Sequence, residues 1–121
     1  MPRYNEFKSC CALITWWSYY SRINKIPEIL LLHIPNQAAG GPRRGANLKA
    51  MGVRKGCPDY LLAIPRGKHH GLFIEQKAPD GKPTPEQTVF LYQLQAHGYA
   101  AAICYSTDAA RTAIESYLKQ T

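Results

Sequence analysis

Residues 56–77 read GCPDYLLAIPRGKHHGLFIEQK. Two apolar runs, Tyr60-Leu61-Leu62-Ala63-Ile64 and Leu72-Phe73-Ile74, flank PRGKHHG, in which Gly67 and Gly71 act as punctuation. Short apolar runs bounded by such breakers predict two strands, 59–64 and 72–77, joined as a hairpin. Antiparallel pairing would lay the start of the first strand beside the end of the second, making Asp59 and Glu75 neighbours. Side chains alternate along a strand, so Lys77 shares the face of Glu75 while Gln76 points the other way. Two carboxylates side by side repel each other, and a cation between them relieves the conflict.

Downstream, PTPEQTVFLYQLQAHG (83–98) predicts a helix with Thr84 as N-cap, Pro85 in the first helical position and Gly98 as the stop. YAAAICY (99–105) predicts a strand, and STDAARTAIESYLKQ (106–120) a closing helix capped by Ser106 or Thr107. Its expected buried face is Ala110, Ile114, Tyr117 and Leu118. Upstream, EILLLHIP (28–35) predicts a strand stopped by Pro35. Between them, Ala46 to Met51 is expected to make one or two helical turns ending at Gly52.

NEFKSCCALITWWSYYSRI (5–23) predicts a first helix capped by Asn5. Its stripe is Phe7, Cys10, Cys11, Ile14, Trp17 and Ile23, widened by Leu13, Trp16, Tyr19 and Tyr20. A helix apolar on so many sides is buried on more than one of them. A core position or a dimer contact is preferred to stacking on unpaired bases. The element order, with a helix between the third and fourth strands, makes a mixed α/β domain over 1–121 with a right-handed crossover.

The chain has 121 residues, with 15 Lys and Arg against 8 Asp and Glu, a formal charge of +7. That balance suits an anionic partner, nucleic acid or a membrane surface. From Ile29 to Pro58 there is no acidic residue, whereas Arg43, Arg44, Lys49, Arg54 and Lys55 are all basic. The four cysteines lack C-x-x-C spacing, which argues against structural zinc and for buried free thiols. No apolar run approaches the ~20 residues of a membrane span, and no signal-peptide pattern opens the chain. A soluble, cytoplasmic protein that makes no membrane contact is expected.

Carboxylates without His or Cys favour Mg²⁺ or Mn²⁺, ions that acidify water and stabilise charge on phosphoryl oxygens. An ammonium beside them, Lys77, suits orientation of that water or stabilisation of the pentavalent transition state. With the basic stretch 43–55 to hold a phosphate backbone, the set describes a phosphodiester hydrolase. Taken alone, D-x₁₅-E-x-K also suits a surface ion pair worth ~0–1 kcal/mol, with Asp59 serving the turn after Gly56. Gln87 has two readings as well. It stands three residues after Thr84, as a capping box requires. It also shares a helical face with Leu91, Leu94 and Gly98, which aims it at the sheet. Of the four histidines, His69 and His70 fall in a turn, and His33 suits a DNA or structural role rather than a metal ligand.

In order along the chain come HIPN (33–36), GVRKGCPD (52–59), EQK (75–77), PEQ (85–87) and GY (98–99). This series resembles the VRR-NUC domain of the PD-(D/E)XK nuclease superfamily, particularly its small stand-alone phage and bacterial members. The resemblance implies a mixed β-sheet flanked by helices in the order αβββαβ, with a C-terminal helix. It implies that Asp59, Glu75 and the main-chain carbonyl of Gln76 bind Mg²⁺ or Mn²⁺, that Lys77 is the catalytic lysine, and that Gln87 and Glu6 complete the site. A Leu is commoner than Gln at the middle of E-x-K, where only the main chain is needed. The implied activity is metal-dependent endonucleolytic cleavage of DNA, with branched substrates such as four-way junctions preferred and a C2 homodimer to cut them. Asn36, Arg43, Arg44, Lys49, Arg54 and Lys55 are the expected DNA contacts, and Trp16, Tyr19 and Tyr20 the expected dimer surface. A non-cleaving DNA-binding module and a partner-activated nuclease subunit are the alternatives.

Overall fold

The computed structural model describes residues 4–35 and 41–121. Asn36, expected among the DNA contacts, lies outside them. Helix α1 (Glu6–Ile23) leads through one 3₁₀ turn (Glu28–Leu30) into β1 (Leu31–His33), followed by α2 (Gly41–Ala50), β2 (Tyr60–Leu62), β3 (Leu72–Gln76), α3 (Pro85–Ala96), β4 (Ala100–Cys104) and α4 (Thr107–Leu118). The strands form one mixed sheet in the order β1-β2-β3-β4. The first three are antiparallel neighbours, and β4 runs parallel to β3 because α3 returns the chain to the same end.

Alternation along the strands separates two faces. Tyr60, Leu62, Leu72 and Ile74 share the main core with Leu13 and Trp17 of α1 and with Ala110, Ile114 and Tyr117 of α4. Two polar groups drawn into this layer are paired: the Trp17 indole N–H donates to the Glu28 carbonyl at 2.8 Å, and the Tyr117 hydroxyl donates to the Ile64 carbonyl at 2.6 Å, whereas the buried Tyr60 hydroxyl has no partner among the described residues. Glu75 and Lys77 point to the opposite face, which α3 covers.

The expected caps of three helices are present. Asn5 accepts from the Lys8 amide, Thr84 from the Gln87 amide and Ser106 from the Ala109 amide. Several expectations need correction. The buried line of α1 is Leu13, Trp17 and Ser21, one residue per turn, whereas Phe7 and Ile23 stand in solvent. Trp16 and Tyr20 pack on Trp17 and the core, and Arg111 lies over the Trp16 ring. That leaves Tyr19 as the exposed member of the expected dimer surface. The strand expected over 28–35 is short because Pro27 starts a turn, with the Leu30 amide bonded to its carbonyl. Helix α2 is longer than expected. Pro42 suits a first turn, the arginines and alanines propagate it, and Gly52 ends it at φ +99°. Of the cysteines only Cys104 is buried, and Cys11 is exposed.

Candidate active site

The register Tyr60↔Ile74 continues one step further to put Asp59 opposite Glu75. The backbone there is tied on both sides. The Ile34 amide donates to the Asp59 carbonyl at 2.6 Å, and the Lys77 amide donates to the Cys104 carbonyl at 2.8 Å. The Asp59 carboxylate is aimed across the strand end, where its Oδ2 accepts from the Gln76 amide at 2.8 Å. Glu75 is 3% exposed, an unusual burial for a carboxylate. Its Oε1 accepts from Gln87 Nε2 at 2.8 Å and lies 3.6 Å from Lys77 Nζ. Its Oε2 is buried with no hydrogen-bond partner among the described residues.

Gln87 serves both purposes considered for it. Its Oε1 accepts from the Thr84 amide at 2.9 Å, closing a capping box, while its Nε2 reaches Glu75. Gly56 makes this approach possible. It is left-handed, at φ +88°, and a Cβ there would fall 2.7–2.9 Å from the main chain of Glu86 and Gln87. The turn before Pro58 therefore lies flush against the first turn of α3.

Burial raises both carboxyls, and the Asp59 charge adds to it at Glu75. Glu75 is pushed from its ordinary 4.5 to about 7 by desolvation first and the Asp59 charge second, with Lys77 opposing. Asp59 is raised by burial, with Glu6 adding and the Gln76 amide, His33 and Lys77 opposing. Burial likewise raises the Cys57 and Cys10 thiols, so neither is primed as a nucleophile.

These groups open onto one cavity of about 960 Å³ that contains Glu6, Asp59, Glu75, Gln76, Lys77 and Gln87. The structure thus brings together every described side chain expected at the catalytic centre. Glu6 is exposed at the start of α1 and makes no ion pair among the described residues. The basic residues are elsewhere. Arg43, Arg44 and Lys49 ride on α2 and, like Arg54 and Lys55, do not line this cavity. Lys55, largely exposed, pairs with Glu86 at 3.6 Å, a contact that sequence distance concealed. His33, Cys57, Tyr4 and Phe7 also line the cavity; of these the sequence marks His33 for a DNA or structural role and Phe7 for the apolar stripe of the first helix, and nothing in it points to Tyr4. Among the described residues, no three His, Cys, Asp or Glu side chains gather into a metal nest, and no helix is long and apolar enough to cross a membrane.

Residues 3–108 match the family model described as the VRR-NUC domain. The chain belongs to the VRR-NUC family. A solved "VRR_NUC domain protein" superposes with a TM-score of 0.84 at 28% identity, over 99% of this chain and 93% of that one. The "Putative nuclease p44" of Acyrthosiphon pisum secondary endosymbiont phage 1 is 46% identical over 55 residues. That stretch is 46% of this chain and 57% of the phage protein, so little more than half of the relative is spanned. The four-stranded mixed sheet with flanking helices is the family's architecture, as the ordered motifs implied.

Proposed function

We propose that this chain is a metal-dependent DNA endonuclease that hydrolyses phosphodiester bonds, with branched DNA such as four-way junctions as preferred substrate. The observation that carries this reading is the pairing of Asp59 with a buried Glu75 whose Oε2 has no partner among the described residues. A buried acceptor left open is expensive, and the most economical occupant is a cation. The donor set suits Mg²⁺ or Mn²⁺: two carboxylates and the Gln76 main-chain carbonyl, with water completing the shell. When bound, such an ion lowers the pKa of water and stabilises charge on a phosphoryl oxygen.

The chain's own residues supply the rest. The Gln76 amide holds Asp59 Oδ2, and Gln87 and Lys77 hold Glu75 Oε1, so Oε2 is the oxygen left for the ion. Lys77, with its ammonium near the carboxylates, orients the attacking water and offsets negative charge building on the phosphoryl group. Glu6 adds a third carboxylate at the mouth of the cavity. The positive charge on α2 and the turn after it, Arg43, Arg44, Lys49, Arg54 and Lys55, attracts the phosphate backbone outside the centre, and Asn36 is a further candidate contact. A C2 homodimer suits a symmetric junction with two equivalent cuts. Such a substrate belongs in a bacterial or phage-infected cytoplasm.

The test is a labelled four-way junction and a matched duplex incubated with wild type and Lys77→Ala in EDTA, Mg²⁺ or Mn²⁺. Metal-dependent nicking of the junction by wild type alone is expected. Binding without cutting under every metal would reject the endonuclease reading.

A further inference from the structure

The cavity that holds the carboxylates has a second wall, made by the first half of α1. Phe7, Cys11 and Ile14 follow at i, i+4 and i+7, so they form one helical face, and all three line the cavity with Tyr4. The core does not use this face. Leu13 and Trp17 turn inward, while Phe7 remains 76% exposed. At about 960 Å³ the cavity stands at the upper end of small-molecule sites, larger than a phosphate and a hydrated ion need. One side is therefore carboxylates, ammonium and amide, and the other is largely apolar and partly aromatic.

Charge decides what can lie on the apolar wall. Among the described residues the lining carries three carboxylates, Glu6, Asp59 and Glu75, against one ammonium, Lys77. A second phosphate laid along the Phe7, Cys11 and Ile14 face would meet no cation among the described residues that line it, and Glu6 would repel it. A neutral, flat group covalently attached to a phosphate at the carboxylates meets none of that repulsion. A second copy of the chain packed on Phe7, Cys11 and Ile14 would instead close the cavity that the substrate has to enter.

We propose that the α1 wall, with Phe7 as its stacking surface, takes an unpaired nucleobase of the strand being cut, next to the phosphodiester that faces Asp59 and Glu75. This rests on the nuclease reading and gives it a source of substrate choice. A base inside a duplex is paired and stacked, and extracting it costs a few kcal/mol. A nucleotide at a branch point is already partly free, so the wall rewards branched DNA. Aromatic stacking of a base tolerates any sequence, because every base has a π-face. The selectivity is thus for structure rather than sequence.

The experiment uses four-way junctions with 2-aminopurine at successive positions from the branch point, bound in EDTA so that nothing is cut. With wild type and Phe7→Trp, emission should fall at least about twofold at one or two adjacent positions. Phe7→Ala should abolish that quenching and weaken binding about tenfold, the order that base stacking contributes. A junction abasic at the quenched position should bind wild type as weakly as Phe7→Ala binds the intact junction, and the variant should lose nothing further on it. Because Phe7 is exposed, the alanine variant is expected to fold normally. Unchanged quenching and affinity in Phe7→Ala, with metal-dependent cutting intact, would overturn the stacking wall and leave the nuclease reading standing. Loss of dimer in Phe7→Ala by sedimentation, with quenching retained, would reassign the face to a contact between copies. Phe7-dependent quenching by a chain that cuts no DNA with any metal would uphold the wall and reject the nuclease.

Discussion

Replacing Glu75 by Gln should stabilise the metal-free protein at alkaline pH, although it removes a residue from the centre of the fold. Burial and Asp59 push the Glu75 carboxyl from 4.5 to about 7. Between those values the folded protein keeps a proton that the unfolded chain has released. The contribution of Glu75 to stability is therefore fully present below pH 4.5, falls as pH rises through the window, and is lost above about pH 7. The gap between 4.5 and about 7, at ~1.36 kcal/mol per pH unit, is about 3 kcal/mol. Glu75→Gln removes that penalty and keeps an oxygen for the Gln87 amide. It also strips Lys77, whose side chain is 16% exposed, of its counter-charge. The net gain at pH 8 is then about 1–2 kcal/mol, close to zero at pH 5. For a chain of this size that is a rise in Tm of roughly 5–8 °C. Thermal melts followed by circular dichroism in EDTA, from pH 5 to 8, read both effects. Adding Mn²⁺ at pH 8 should raise the Tm of wild type and leave the variant nearly unmoved. A wild-type Tm flat across the range, with Glu75→Gln less stable at pH 8, would refute the claim that this carboxylate is held under electrostatic stress.

Three further outcomes follow from the same geometry. Gly56→Ala, which forces a side chain into a left-handed position and into the main chain of α3, should lose on the order of 2 kcal/mol in urea denaturation and most of its cutting. Gln87→Glu keeps an acceptor for the Thr84 amide but sets a third carboxylate against Glu75; cutting should fall at least tenfold at pH 8, while stability at pH 5, where Glu75 holds its proton, changes by under about 1 kcal/mol. If Arg43 and Arg44 each contact a phosphate, replacing both by Ala should reduce the log–log salt slope of DNA binding by about 1.8, as titration between 50 and 200 mM salt would read; an unchanged slope would move the backbone track off α2.

Much of the site was legible because its geometry follows from strand period and hairpin register. Once 59–64 and 72–77 were read as paired strands, the neighbourhood of Asp59, Glu75 and Lys77 followed without any tertiary information. The cap of α3 was legible for the same reason, since Thr84 and Gln87 are three residues apart. Features that depend on elements distant in sequence were hidden. Nothing near Lys55 reveals Glu86 as its partner, and the closeness of Gly56 to α3 is set by two segments some thirty residues apart. The face that α1 buries is not legible in the sequence because the helix is apolar nearly all round. Periodicity cannot choose between Phe7–Cys11–Ile14 and Leu13–Trp17–Ser21 until the sheet and α4 select one of them. The full length of α2 is hidden in the sequence because Gly41, Pro42 and Gly45 look like breakers, while Pro in a first turn is compatible with a helix.

Gln87 holds the end of a helix with one atom of its amide and a buried carboxylate with the other. Helix-cap optimisation, a common route to a more heat-tolerant protein, is therefore closed at this position. A better cap chosen for α3 alone would release Glu75. The link also has a spectroscopic face. Amide exchange at Gln87 and Thr88, which report fraying of the first turn, should slow when the carboxylate centre is filled, so an NMR experiment on two backbone protons can follow occupancy without any substrate present.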